Sequence, residues 1–295
     1  MTMLVREYHR PTGLAETVSL LRRSEVTTLA LAGGTELLSD QSGRAVELVD
    51  LGGLELDFVN LDQSAARLGA MATLQRLVDH EALVAFADGV IGQAAWQSNT
   101  RILRHAATLG GTLASSGDFG SDLAVVLRAL QAKAVVMTPE RLTLNLSELG
   151  PMLRQGALII SVEITRPPSE AGVGYSHLGR LRTDYSLVSA AVVIGLVASR
   201  CTYCRAVLGG IGVAVTELTS LDRTLVGSNL AEIAENDLDG LLQEHLREVD
   251  VVSDWRASGQ YRRQVAKILL RRAIIQASAR SRYGGLSHSA DGDAS

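Results

Sequence analysis

The sequence predicts a mixed α+β protein of two or three lobes. Short apolar stretches of strand character alternate with segments of helical 3.6 periodicity. Two of those stretches run into Gly-Gly turns, LAGGTELL at residues 31–38 and ATLGGTLA at residues 107–114, and a Pro167-Pro168 pair cuts the chain in its second half. With 295 residues, 46% of them hydrophobic and 20% charged, the chain can bury a substantial core and reads as an ordinary globular protein. A net charge of −4 gives no electrostatic reason to expect nucleic acid. The opening MTMLVREYHR lacks the apolar segment of a signal peptide, and the longest apolar run, residues 187–198, is too short to span a bilayer. The expected compartment is the cytoplasm.

A short strand at residues 4–7 leads through Pro11-Thr12 into a helix with Leu14, Ala15, Val18 and Leu21 on its inner face. Residues 27–31 and 46–51 are then strands, giving a small α/β lobe. The next lobe has a strand at residues 67–71, a helix capped by Thr73 through His80, and a longer helix over residues 90–106. Trp96 on that helix reads as core before cofactor stacking. Ser121-Asp122 opens a helix whose Leu123, Val126, Leu127 and Leu130 face inward, and strands follow at residues 134–138, 141–146 and 157–165 with a hairpin at Pro139-Glu140. After the proline pair come strands at residues 186–198 and 204–208. The last helix runs from Tyr261 to about Arg280, with Tyr261, Val265, Ile268, Leu269 and Ala273 at core spacing. Its Arg262, Arg263, Lys267, Arg271 and Arg272 read as a solvated face, with docking to an acidic partner as the second reading.

A Gly-Gly turn after an apolar strand suits a buried anion. Glycine tolerates positive φ and lets a ligand approach main-chain N–H groups, and a helix starting beyond Thr35 would add its own free amides and dipole. Neither turn carries the lysine of a Walker loop or a G-x-G-x-x-G, and one such turn alone is most often only a turn. Other chemistry is not visible. The six histidines show no H-E-x-x-H or helical ligand pair, there is no G-x-S-x-G, and no carboxylate pair stands out. The two cysteines, Cys201 and Cys204, form a lone C-x-x-C in a strand–turn–strand pattern, which reads as structural before redox-active. No metal-ligand set is assigned. Reaction chemistry would therefore belong to a bound cofactor.

The chain resembles the flavin-binding medium subunit of the molybdenum hydroxylases, the family of carbon monoxide dehydrogenase and xanthine dehydrogenase. The resemblance runs in order through Tyr8-His9-Arg10-Pro11, LAGGTELL, LGAMAT at residues 68–73, TLGGTLA, Ser121-Asp122-Leu123, LGGIG at residues 208–212 and YRRQVAKILLRRA at residues 261–273. It implies a two-lobed FAD-binding fold of the vanillyl-alcohol oxidase or PCMH type, followed by a small α+β C-terminal domain. The lobes would be residues 1–57 and 58–166, the C-terminal domain residues 167–283, and residues 284–295 a disordered tail. FAD is the implied cofactor, with the two glycine turns on its pyrophosphate. Ala32, Gly33, Gly34, Thr35 and Glu36, with Leu37 and Leu38 beside them, would form one contact, and Thr108, Gly110, Gly111 and Thr112 the other. Asp122 would meet ribityl or ribose hydroxyls, Ile160 would pack near the isoalloxazine, and residues 175–184 would approach the ring.

The same resemblance implies an electron relay. A molybdenum-cofactor large subunit and an iron–sulfur small subunit would feed electrons to this flavin, which passes them to an external acceptor. Some positions depart from the family pattern: Arg104-His105 stands for Arg-Asn, Thr112 for Asn, and His177 for a lysine near the flavin, while the stretch after the second turn carries Gly117 and Gly120. These departures motivate an alternative, a stand-alone FAD-dependent oxidase or dehydrogenase acting directly on a small molecule. A third reading is a scaffold that has lost its flavin.

Overall fold

Five residue blocks, 3–37, 42–115, 121–180, 186–230 and 235–287, are described in the structure, a computed structural model. In chain order the elements are β1 (Leu4–His9), α1 (Leu14–Leu21), β2 (Thr28–Leu31), β3 (Ala45–Asp50), β4 (Val59–Leu61), β5 (Ala65–Gly69), α2 (Leu74–Asp79), α3 (Glu81–Val84), α4 (Val90–Gln97), α5 (Arg101–Arg104) and α6 (Leu109–Ser115). There follow α7 (Asp122–Ala129), β6 (Lys133–Met137), β7 (Arg141–Asn145), α8 (Leu149–Arg154), β8 (Leu158–Thr165), β9 (Ala171–Leu178), β10 (Val188–Val197), β11 (Arg200–Gly209), β12 (Thr216–Glu217), α9 (Thr219–Leu225), α10 (Glu235–Arg247) and α11 (Gly259–Ser287). They divide into two compact units. One gathers Met1–Asp79, Thr100–Gly117 and Gln131–Thr165, the other His80–Asn99, Asp118–Leu130 and Arg166–Ser295.

In the first unit, β3 is the centre of a parallel sheet of order β1-β3-β2, and its Val46, Leu48 and Val49 are buried. A central parallel strand is covered on both faces, which is why it reads as a near-continuous apolar run. The second sheet, β4-β5-β8-β6-β7, is antiparallel throughout. Val18 and Leu20 of α1, Val49 of β3, and Leu158 and Ile160 of β8 share one apolar cluster that binds the two sheets together. On α1 the inward positions are Thr17, Val18 and Leu20, whereas the expected Ala15 is exposed.

In the second unit, an antiparallel sheet of order β12-β11-β10-β9 packs against α11. The strand β9, absent from the sequence reading, contains two glycines that lower strand propensity. Their use is close approach: a Cβ on Gly174 would lie 1.9 Å from the carbonyl oxygen of Ala273, so the backbone of α11 rests directly on β9. The helix expected over residues 90–106 is interrupted. The Ser98 hydroxyl bonds back to Ala94 O (2.8 Å), and Thr100 caps the next helix by accepting from Leu103 N (3.4 Å). On α11, Val265, Leu269 and Ala273 are buried as expected, but Tyr261 and Ile268 are each 46% exposed. Arg262, expected on the solvated face, is 1% exposed.

Both cysteines lie on β11, are free thiols and are buried. Residues three apart on a regular strand face opposite ways. Here the register slips between Gly195↔Tyr203 and Leu196↔Cys201, so Thr202 is bulged out and both thiols turn inward. The Cys204 thiol is held well above the ordinary range, first by its hydrogen bond with Cys201 and then by burial. Asp222, whose Oδ1 accepts the Ala206 amide (2.7 Å) beside Cys204, is pushed by burial from 3.8 to about 6. A carboxyl whose folded value is raised binds its proton more tightly in the native state. Its contribution to stability is therefore greatest below 3.8 and is lost as pH rises through about 6. Replacing Asp222 by Asn is expected to flatten that part of the profile, measured as the wild-type-minus-variant difference in denaturant midpoint across this window.

Candidate functional site

Leucine and alanine at the end of β2 carry the chain out of the parallel sheet into the first glycine turn, beside the central strand β3. Gly34 adopts φ +70°, a conformation that side chains with a Cβ rarely take. Among the described residues, nothing accepts a hydrogen bond from the amides of Gly33 and Gly34. Thr35 and Leu37 are half-buried and Glu36 is exposed; Leu38 lies outside the described residues.

The second glycine pair is placed differently from its expectation. Gly110 and Gly111 lie in the first turn of α6. The amides there are already used: Leu109 N donates to Ala72 O (2.9 Å), Gly110 N to Ala70 O (2.8 Å), Gly111 N to Thr108 Oγ1 (3.1 Å) and Thr112 N to Thr108 O (2.9 Å). The LGAMAT and TLGGTLA segments thus dock on each other, joined also by Leu74 N to Ala107 O (2.8 Å) and a Thr73–Thr108 bridge. Arg104, buried just before this segment, donates from Nε to Gln75 Oε1 (3.0 Å) and fixes its approach. The donors this segment has left for a ligand include the hydroxyls of Thr108 and Thr112 and the Thr108 amide, which has no acceptor among the described residues.

The two segments meet. A Cβ on Gly33 would lie 1.8 Å from the carbonyl oxygen of Ala106, and a Cβ on Gly111 would lie 3.8 Å from the Cβ of Ala32. Ile160 is buried in the apolar cluster against which Ala32 and Met71 pack. The two segments therefore lie side by side in the first unit, and the main-chain and hydroxyl donors they carry are of the kind that fits an anion such as a diphosphate.

In the second unit, Ser121 caps α7 by accepting from Ala124 N (3.2 Å), which puts Asp122 in its first turn, buried. The Ser186 hydroxyl donates to Asp122 Oδ2 (2.6 Å), and Ser186 Oγ lies 3.3 Å from His177 Nδ1. The His177 ring stacks on Tyr175 with centroids 5.6 Å apart and planes 7° from parallel. Burial pushes the Asp122 carboxyl up, opposed by the Ser186 hydrogen bond, and burial followed by Asp122 pushes the Tyr175 phenol up. Asp122 Oδ1 and the Tyr175 hydroxyl are buried and interact with each other, but neither makes a hydrogen bond of good geometry among the described residues. Buried polar atoms this loosely satisfied fit a hydroxyl-bearing ligand. Ser186 was not a sequence candidate, since a hydroxyl at the head of a strand carries no signal of its own. Residues 181–184 of the expected ring-facing segment lie outside the described residues.

In the first unit, two glycine segments that meet beside a parallel sheet suit a protein that holds a diphosphate-bearing cofactor. Comparison with known proteins makes this specific. The family described as "FAD binding domain in molybdopterin dehydrogenase" matches residues 4–167, and the one described as "CO dehydrogenase flavoprotein C-terminal domain" matches residues 174–277. The chain is 28% identical to the carbon monoxide dehydrogenase medium chain of Afipia carboxidovorans, over 94% of this chain and 98% of that one. It is 27% identical to the nicotine 6-hydroxylase medium subunit of Paenarthrobacter nicotinovorans, over 93% and 98%. A chain in the crystal structure of the Cu,Mo-CO dehydrogenase, cyanide-inactivated form, superposes with a TM-score of 0.85 at 25% identity, over 95% of this chain and all of that one. The chain belongs to the FAD-binding medium-subunit family of the molybdenum hydroxylases, and its cofactor is FAD.

Proposed function

We propose that this chain is the flavin station of a multi-subunit molybdenum hydroxylase working in the cytoplasm. A large subunit with a molybdenum cofactor would oxidise the substrate, a small subunit with iron–sulfur clusters would carry the electrons, and this chain would deliver them to an external acceptor. The observation that carries the reading is the meeting of the two glycine segments, Gly33 on Ala106 and Gly111 on Ala32, in a chain that aligns over nearly its whole length with medium chains. The named relatives are chains or subunits of larger enzymes, so the stand-alone oxidase is not favoured. Two free, buried thiols fit a reducing compartment.

In this reading the amides of Gly33, Gly34 and Thr35 bind the pyrophosphate charge, with Ala32, Glu36 and Leu37 shaping the turn. Thr108 and Thr112 donate hydroxyl hydrogen bonds, while Gly110 and Gly111 let α6 seat close to its neighbours. Asp122 accepts a ribityl or ribose hydroxyl, and Ile160 supplies apolar support near the ring. His177, oriented by Ser186, holds the place where relatives carry a lysine. FAD, when bound, supplies a centre that accepts electrons singly and releases them in pairs. We keep residues 1–57, 58–166 and 167–283 as the proposed division into two flavin lobes and a C-terminal domain.

Purification from the native host tests this. The expected result is one FAD per chain, co-purifying molybdenum and iron–sulfur subunits, and flavin reduction by substrate only when those subunits are present. A chain that purifies alone, and whose flavin a small molecule reduces with no other protein added, would overturn it.

A further inference from the structure

One cluster in the first unit is used by nothing above. In parallel register β1 faces β3 as Val5↔Val46, then Glu7↔Glu47, so Arg6 is an extra residue in β1. Without that bulge Arg6 would stand opposite Glu47, an attractive pair. With it, one carboxylate stands directly opposite another, an arrangement that is repulsive unless a cation lies between them. His9, two residues along the same strand, points its ring at both. His9 Nε2 lies 3.3 Å from Glu7 Oε2 and 3.4 Å from Glu47 Oε2, and the three ligand atoms all lie within 4.8 Å of one another. That nitrogen is buried and makes no hydrogen bond among the described residues. One imidazole nitrogen carries one proton or one lone pair, so it can give a full hydrogen bond to only one of the two carboxylates.

The distances have a simple meaning. Ligands about 2.0–2.2 Å from a tetrahedral zinc ion are separated from each other by roughly 3.3–3.5 Å. We propose that Glu7, His9 and Glu47 form a three-ligand site for a divalent transition metal of the zinc type, pinning the edge strand β1 to β3. One imidazole with two carboxylates suits zinc, cobalt or manganese better than calcium, which needs six or more oxygens. The Glu7 side chain is 61% exposed and leaves the fourth position open to water. Arg23 Nη1, 3.3 Å from Glu47 Oε2, competes for the same oxygen, and its side chain is exposed enough, at 45%, to swing away when a metal enters. The site is structural and does not rest on the flavin reading.

The test uses the full FAD-loaded chain, stripped with a chelator and titrated with zinc by calorimetry and with cobalt by absorption. One saturable equivalent is expected, with a rise in melting temperature and a cobalt spectrum free of thiolate charge-transfer bands. Glu7→Gln, at an exposed position, should weaken binding at least about tenfold. His9→Gln should abolish it, and Arg23→Gln should tighten it by freeing Glu47. A Cys201→Ser/Cys204→Ser double variant should bind as the wild type does. No saturable binding to the wild type, or binding that survives both Glu7→Gln and His9→Gln, would overturn the proposal. So would loss of the site in the cysteine variant. The flavin content reports separately on the cofactor reading and should be unchanged in Glu7→Gln.

Discussion

Gly33→Ala is expected to yield a folded protein almost devoid of FAD. The added methyl would sit 1.8 Å from Ala106 O and 2.6 Å from Ala106 C, and both are backbone atoms held by the bonds of Ala106 and Ala107 N to Leu103 O. Relief requires the two glycine segments to separate, which costs about 1–3 kcal/mol of stability by overpacking and takes the amide and hydroxyl donors apart. Gly34→Ala should do less: its cost is the left-handed φ of +70°, about 1–2 kcal/mol. Gly111→Ala should be mildest, because its new methyl meets the Thr108 side-chain oxygen at 2.9 Å, and a side chain can move. Valine at Gly34 or Gly111 is expected to expel the flavin. Flavin absorbance per chain, read beside thermal melts, ranks the three alanine variants. Full flavin content in Gly33→Ala would remove the assignment of this turn to the pyrophosphate.

The residue types in these segments were legible in the sequence, and their division of labour was not. Gly33 reads as a position that lets a ligand approach, yet its missing Cβ admits the neighbouring peptide of Ala106. The second pair reads as a turn after a strand, while its amides are spent on residues 70–72 and on Thr108. A sequence shows that a backbone must come close to something, and only the fold shows to what. The same limit hid β9, whose glycines lower local propensity for the sake of the helix resting on them. Bulges were equally invisible. Thr202 turns Cys201 and Cys204 to one side, and Arg6 sets Glu7 against Glu47, and neither follows from spacing. The strongly periodic elements were read well because their own side chains specify them. In α7 and at its C-cap, Leu130, all four expected apolar residues are buried, and β6 and β7 pair around the Pro139-Glu140 turn as an antiparallel hairpin.

Arg262→Leu is expected to be among the most damaging substitutions in the second unit. On α11 the buried stripe includes Arg262, Ala266, Leu269, Ala273 and Ala277, so the helix is turned away from the face marked by Tyr261 and Ile268. An arginine that enters a core must find partners for its donors. Arg262 Nη1 donates to Leu187 O (2.9 Å) and Gly210 O (2.6 Å), and Nη2 donates to Asp254 Oδ1 (2.6 Å). Against the upward push of burial, the Ala257 amide and then Arg262 hold Asp254 below the usual carboxylate range. Leucine fills much of the volume but strands two buried carbonyls, at about 1–3 kcal/mol each, for a loss of about 3–5 kcal/mol in denaturant unfolding. Arg262→Lys keeps the charge and a donor and should lose roughly half as much, since one ammonium cannot reproduce the planar fork. Leu187 follows Ser186, whose hydroxyl joins Asp122 to His177. Weaker flavin retention is therefore expected in Arg262→Leu even where the chain remains folded. A change in unfolding free energy below about 1 kcal/mol, the worth of a single ordinary hydrogen bond, would show that this buried guanidinium does not hold the strand ends of the second unit together.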